Sequence, residues 1–293
     1  MERENLYSRI SRNKRNSLLV VIGFTLFVLL LGWVFGEVSG WGFFGIILAA
    51  VISIIMAYSA YYKSDSIAVA TAHAKPAEGP HYKALNDLVE GLAIAAGIPK
   101  PRIYVIPDES INAFAAGRDP EHAVVAVTEG SLVKLTKPEL EGVLAHELSH
   151  VKNYDIRFMT TVIVMVGVVA LLSDWIMWSF IFGGGRRNRE GGGGWIMILG
   201  LVLAILSPIF AALVAMAASR KREFLADADG AMLSRNPSGL AGALKKIAGD
   251  SKKLEGASSA TAPMYFSNPL KSKALFSSHP PIEERIKYLE TLG

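Results

Sequence analysis

The 293-residue chain contains no cysteine. Disulfides, thiolate zinc sites, iron–sulfur clusters and cysteine nucleophiles are therefore excluded, and any metal must be held by His, Asp or Glu. Charge is also scarce: Asp, Glu, Lys and Arg make up 19% of the residues, where soluble domains carry about 25%. The net charge of +4 comes with no nucleic-acid motif, and the basic flanks of membrane segments produce such a bias, so nucleic acid is set aside as a partner. Apolar residues are plentiful, at 51%, and mean hydropathy is +0.34. The charge deficit is concentrated in four runs of bilayer-spanning length, which excludes a fully soluble protein. What lies outside them, about 200 residues, suffices for one domain with its own core and not for two large ones.

The first run, Ser17 to Gly36, is 20 residues without a charge. As a helix rising 1.5 Å per residue it covers a hydrocarbon layer of about 30 Å. Arg3, Arg9, Arg12, Lys14 and Arg15 precede it. Its apolar core exceeds the ~7–15 residues of a signal peptide and no A-x-A cleavage site follows, so the run reads as a retained anchor. The second, about Ser39 to Tyr62, is separated from it by a link whose only charge is Glu37, and it ends at Lys63. The positive-inside rule then puts the N-terminus and the segment after Tyr62 in the cytoplasm. The third run, Phe158 to Phe182, is interrupted by Asp174, and the fourth, Trp195 to Ala218, contains Pro208. Asp174 is either a functional group within the bilayer or a helix-end carboxylate reaching interfacial water. The glycine-rich link at 183–194 holds Arg186, Arg187 and Arg189. If both runs cross, these arginines face outward against the positive-inside rule; otherwise the two form a hairpin that enters without crossing. The chain thus divides at 1–62, 63–157, 158–218 and 219–293.

Two stretches fold in water. His81 to Ala96 places Leu85, Leu88, Val89, Leu92 and Ala96 at helical spacing, with Gly97 and Pro99 as a stop. Arg102–Ile106, Ile111–Ala116 and Ala123–Thr128 are short apolar segments punctuated by Pro, Asp and Gly, the pattern of a small antiparallel sheet. Thr136-Lys-Pro-Glu139 predicts a capping box opening a helix to about Tyr154. Helices are predicted again from Ser219 to about Leu233 and, capped by Asn236 with Pro237 at its first position, to Ala248. The stretch 250–278 reads as a long loop, and a last amphipathic helix carries Ile282, Ile286, Leu289 and Leu292.

On the capped helix lies His146-Glu147-Leu148-Ser149-His150. Four residues at 100° each put both imidazoles on one helix face, one turn apart, where they can share an ion, with Glu147 beside them. A catalytic zinc takes three protein ligands and leaves a position for water, so a third ligand must come from elsewhere. It must lie on the same side of the membrane, which admits both 63–157 and the segment after the fourth run. In the latter, Glu223 and Asp227 are one turn apart on a predicted helix. One could bind metal while the other steadies a ligand imidazole through its free N–H; alternatively both pair with Arg220, Lys221 and Arg222.

His146-Glu-Leu-Ser-His150, then Arg220-x-x-Glu223-x-x-Ala-Asp227, then Ser278-His279-Pro-Pro-x-x-x-Arg285, closely resembles the HtpX-like gluzincin family of membrane-anchored zinc metalloproteases. The resemblance covers nearly the whole chain. It implies an α-helical membrane protein with an α+β zincin-like metalloprotease domain, built from a small antiparallel sheet plus metal-binding helices. It implies one Zn2+ per chain on His146, His150 and Glu223, Glu147 as the base, and Asp227 supporting a ligand. Asn112, Ala113, Phe114 and Ala115 resemble the family's active-site edge strand, against which an extended peptide adds as a further strand. His279 is the candidate donor to the oxyanion, its alternative being a turn residue ahead of the last helix.

The implied function is a membrane-bound zinc endopeptidase acting on unfolded or misfolded membrane proteins and nearby cytosolic chains. It would sit in a prokaryotic plasma membrane (the inner membrane of a Gram-negative cell) with its protease domain in the cytoplasm. Its partners would be polypeptide substrates, the lipid bilayer and other membrane proteases. Two alternatives stand beside it: a CAAX-type processing metalloprotease with the same ligand pattern, and a non-catalytic zinc-stabilised membrane scaffold for which Glu147 is dispensable.

Overall fold

The computed structural model describes residues 6–163, 165, 219–252, 254, 255, 257, 261–269 and 279–293. Asp174, the glycine-rich link with its arginines, the fourth apolar run and most of the third fall outside them. The first two helices, α1 (Leu6–Ser39) and α2 (Phe43–Tyr62), pack as an antiparallel pair. Both are long and apolar enough to cross a membrane. Leu18, Ile22, Leu26, Leu30, Ile54 and Ile55 are exposed on them, a surface that lipid rather than water would cover. Small residues hold the pair together. A Cβ on Gly32 would lie 2.7 Å from the Gly45 carbonyl oxygen, so the backbones approach as closely as glycine permits.

Helix α1 is longer than its apolar run requires. Its 34 residues extend about 50 Å, and the basic segment before Ser17 is helical too. Those extra turns reach the water-exposed unit, where Asn13 is buried. A short helix α3 (Ser64–Thr71) follows, then the predicted helix as α4 (Lys83–Ala96), closed by Gly97 at φ 68°.

The sheet consists of β1 (Lys75–Pro76), β2 (Arg102–Ile106), β3 (Ala113–Ala116) and β4 (Val124–Thr128), in the order β1-β2-β4-β3. It is mixed, which corrects the antiparallel sheet anticipated from the sequence: β3 and β4 form an antiparallel hairpin, but β2 and β4 run parallel. The hairpin folds back so that β4 enters between β2 and β3. All five residues of β4 are buried, Val125 and Val127 in one core and Val124 and Ala126 in the other. The neighbouring β3 is covered on both faces too, with Ala113 and Ala115 in the first core and Phe114 and Ala116 in the second, so the β3–β4 hairpin as a whole lies between the two cores.

After α5 (Glu129–Lys134) comes α6 (Lys137–Lys152), opened by the expected capping box, with the Thr136 N–H donating to Glu139 Oε2 at 2.7 Å. Residues 142 to 151 of α6 are all buried. The chain is helical again from 155 to 163. Helix α7 (Arg220–Ser234) then returns against α6, followed by α8 (Pro237–Gly249) and α9 (Ile282–Glu290). The Asn236 cap is present, its side chain accepting from Gly239 N–H at 3.1 Å.

Helix α6 is central because neighbours touch its backbone. A Cβ on Gly142 would lie 2.6 Å from Leu240 N, and one on Gly230 of α7 would lie 2.9 Å from His146 N. Because the obstacle at Gly142 is backbone, Gly142→Ala forces α8 away and is expected to cost about 1–3 kcal/mol. Thermal unfolding of the detergent-solubilised protein checks this, and an unchanged midpoint would refute the packing argument.

Candidate metal centre and active site

The two imidazoles of α6 face each other with Nε2 atoms 3.2 Å apart and ring planes at 85°. Glu223 enters from α7, its Oε2 3.6 Å from His146 Nε2 and its Oε1 3.6 Å from His150 Nε2. Ligands about 2.0–2.1 Å from a tetrahedral zinc lie roughly 3.3 Å from one another, so these three side chains match one face of such a sphere. Chemistry agrees with geometry. Glu223 is 2% exposed, and its Oε2 is a buried oxygen with no hydrogen-bond partner among the described residues, a deficit that a cation removes.

Behind the ligands is a layer of hydrogen bonds. His146 Nδ1 is 2.9 Å from Asp227 Oδ1. Arg285 grips the same carboxylate with two bonds, Nε to Oδ2 at 2.9 Å and Nη2 to Oδ1 at 2.6 Å. Burial favours the neutral form of Asp227, but Arg285 and His146 outweigh it and hold its pKa below the ordinary value. An ionised Asp227 only accepts, so His146 donates through Nδ1 and turns Nε2 to the centre. Arg285 is itself 1% exposed; it donates to Phe266 O at 3.2 Å and lies over the Phe266 ring. His150 is oriented in the same manner by Asp155, Nδ1 to Oδ2 at 3.1 Å.

Titration follows from these contacts. Burial lowers the His146 pKa, but the bond to Asp227 and the nearby Glu223 carboxylate overcome it and raise the value to about 9. Burial opposes ionisation of Glu223 as well, yet His279, His146 and His150 bring it well below the ordinary carboxylate range. Glu147 goes the other way: burial raises its pKa against the pull of His146 and His150. His279, also buried, is pushed down to about 4 by burial and by Arg285, while Glu223 opposes this. Its Nε2 is 3.6 Å from Glu223 Oε2.

These groups line a cavity of about 10 Å³, close to the smallest that holds one water. Ala115 forms one wall and Pro263 to Phe266 another. The edge strand β3 adjoins the centre as expected, but its outer edge is already paired. Phe266 N–H donates to Ala113 O at 2.8 Å, Tyr265 bridges Phe114, and the Asn112 amide exchanges bonds with the Ser267 backbone at 3.0 and 3.2 Å.

Of the residues singled out in the sequence, His146, Glu147, His150, Glu223, His279 and Ala115 line this cavity and Asp227 adjoins it through His146, while Asn112 to Phe114 lead along the chain to Ala115 and Asp174 lies outside the described residues. Sequence reasoning missed Asp155, Phe266 and the part played by Arg285. Arg285 stood in the third motif without a role, and Asp155 follows His150 by five residues, across a turn, a spacing that carries no rule.

Two histidines from one helical turn, an acid from a second helix and a glutamate buried beside them define a metallopeptidase. The chain belongs to Peptidase family M48, whose profile matches residues 81–292. Protease HtpX homolog of Thermoanaerobacter pseudethanolicus is 42% identical, covering 100% of this chain and 99% of that protein. The proteins of the same name from Listeria monocytogenes and Dictyoglomus turgidum are 46% and 45% identical, each over 98% of this chain. Among solved structures, Ste24p of S. mikatae superposes with a TM-score of 0.51 at 20% identity, over 97% of this chain and 67% of that one, a likeness of fold. The protein is a membrane-bound metalloprotease.

With its pKa near 9, His146 is protonated at neutral pH in the metal-free protein, and an incoming cation must expel that proton. Metal affinity is expected to rise roughly tenfold per pH unit from about 6.5 to 8.5. Chelator competition measures it, and a flat profile would contradict the protonation assigned to His146.

Proposed function

We propose that the metal is zinc, held by His146, His150 and Glu223, and that the protein is an endopeptidase for unfolded polypeptide at a membrane surface. The observation that carries this reading is the convergence of those three side chains around an unsatisfied carboxylate oxygen, with Glu147 buried alongside. When bound there, zinc supplies Lewis acidity to the peptide carbonyl and acidifies a water. Glu147 would take a proton from the attacking water and return it to the leaving amine; its raised pKa suits a group that must both accept and give. His279, neutral at physiological pH, donates an N–H to the oxygen that gains charge. Asp227 and Arg285 keep the His146 ring aimed throughout.

Substrate backbone would pair with Asn112–Ala115, supported by the position of β3 at the sheet edge beside the centre. Tyr265 and Phe266 occupy that edge and would give way to an incoming strand. Strand addition demands extended chain, so folded proteins are poor substrates and misfolded membrane or nearby cytosolic proteins are the natural ones. Helix α1 joins the apolar pair directly to the hydrolytic unit, which favours clients at the bilayer. In this reading the protease unit comprises 63–157 and 219–293, joined through a second apolar pair at 158–218, and faces the cytoplasm of a prokaryotic cell. Other membrane proteases would share its clients.

Glu147→Gln is expected to retain zinc at wild-type stoichiometry and to lower casein hydrolysis by about 10²–10⁴-fold; undiminished hydrolysis would leave a zinc-stabilised scaffold as the better description. A prenylated peptide, cut while casein is spared, would favour the CAAX-type reading. His279→Ala is expected to keep its metal and lose turnover. Loss of metal in that variant would reassign His279 to the coordination sphere.

A further inference from the structure

We propose that Asn13, on the turns of α1 that precede its apolar run, is a positioning residue for the metal centre and acts through Asp155 on the His150 imidazole. The inference rests on the reading of His146, His150 and Glu223 as metal ligands. A ligating imidazole needs a partner for its other nitrogen, which fixes the tautomer and the ring plane. His146 has Asp227, itself clamped by Arg285. His150 has Asp155, whose Oδ2 is 3.1 Å from Nδ1. The remaining oxygen of Asp155 is held from the membrane helix: Asn13 Nδ2 donates to Oδ1 at 2.7 Å, with Arg222 Nε 3.4 Å from the same atom.

Both N–H groups of the Asn13 amide are used. The second proton on Nδ2 goes to Asn153 O at 3.0 Å, so one side chain spans the turn between α6 and Asp155. Both partners are acceptors, which assigns the facing atom as nitrogen. Asn13, Asn153 and Asp155 are 3%, 2% and 4% exposed. In such a place a hydrogen bond to a carboxylate is strong and leaving that carboxylate without it is costly. The turn itself holds Tyr154 at φ 58°, a conformation that non-glycine residues adopt only when the surroundings impose it. Neighbouring contacts of α1 dock the same face without touching a residue that orients a ligand: Lys14 lies 4.2 Å above the Tyr154 ring. The membrane anchor is thus wired to an imidazole that lies far along the chain.

The test uses the full-length protein in detergent and two readouts other than proteolysis: zinc affinity by chelator competition, and the visible spectrum of the cobalt(II)-substituted protein. Asp155→Ala is expected to weaken zinc binding by about 10–100-fold. Asn13→Ala is expected to weaken it by about 3–10-fold and to shift the cobalt bands in the same sense. In the Asp155→Ala background, Asn13→Ala should add nothing, because its path to His150 has been removed. Lys14→Ala, which loosens docking alone, should leave affinity and spectrum as in the wild type. If Asn13→Ala does not fold, Asn13→Gln, which shifts the donor by one methylene, is read in the same way with the same linked change expected. Additive losses in the double variant, or wild-type affinity in Asn13→Ala, overturn this inference alone. A wild-type protein that takes up no zinc overturns the metal reading and this inference with it.

Discussion

Everything in the catalytic unit depends on how closely α6 and α7 approach. Helix α6 brings two imidazoles and α7 brings Glu223 and Asp227, and the four side chains meet only because α7 lies almost on the backbone of α6. Gly230 makes that possible, since a side chain there would collide with His146 N. The same pairing lets Ser149 donate to His146 O at 2.7 Å while lying 3.5 Å from Ala226 O on α7. Burying so many ionisable groups is expensive unless each has a partner. Here Arg285 neutralises Asp227, and Glu223 is surrounded by three histidines, so the cluster is tolerated as a unit and not group by group.

This arrangement explains how far the sequence could be read. The spacing of His146 and His150 is a property of one helix, and local periodicity reports it faithfully. The capping box at Thr136, the Asn236 cap and the start of α7 near Ser219 are equally local, and the helices begin where these residues place them. Glu223 and Asp227 were visible as a pair one turn apart, but their separate roles follow from which of them faces His146 Nδ1 and which faces the two Nε2 atoms. Composition and period contain no such information; the resemblance to a protease family supplied the ligand set.

What escaped sequence reasoning was long-range. The parallel pairing of β2 with β4 results from inserting β4 between β2 and β3, a pairing between distant segments that the period of a single strand does not report. Asp155 follows the turn after α6, and its partner Asn13 lies on a helix that by composition was only an anchor. The pairing of Tyr265 and Phe266 with β3 likewise joins segments with no shared pattern.

Arg285 is translated after every other residue that surrounds the His146 ring. A ribosome delivers His146 and His150 first, Glu223 and Asp227 after a long apolar stretch, and the guanidinium that stabilises Asp227 later still. Until α9 emerges and docks, Asp227 lacks its strongest counter-charge and the His146 ring lacks a firm rest. Until then the two imidazoles and Glu223 are in place without the guanidinium that holds Asp227 against His146.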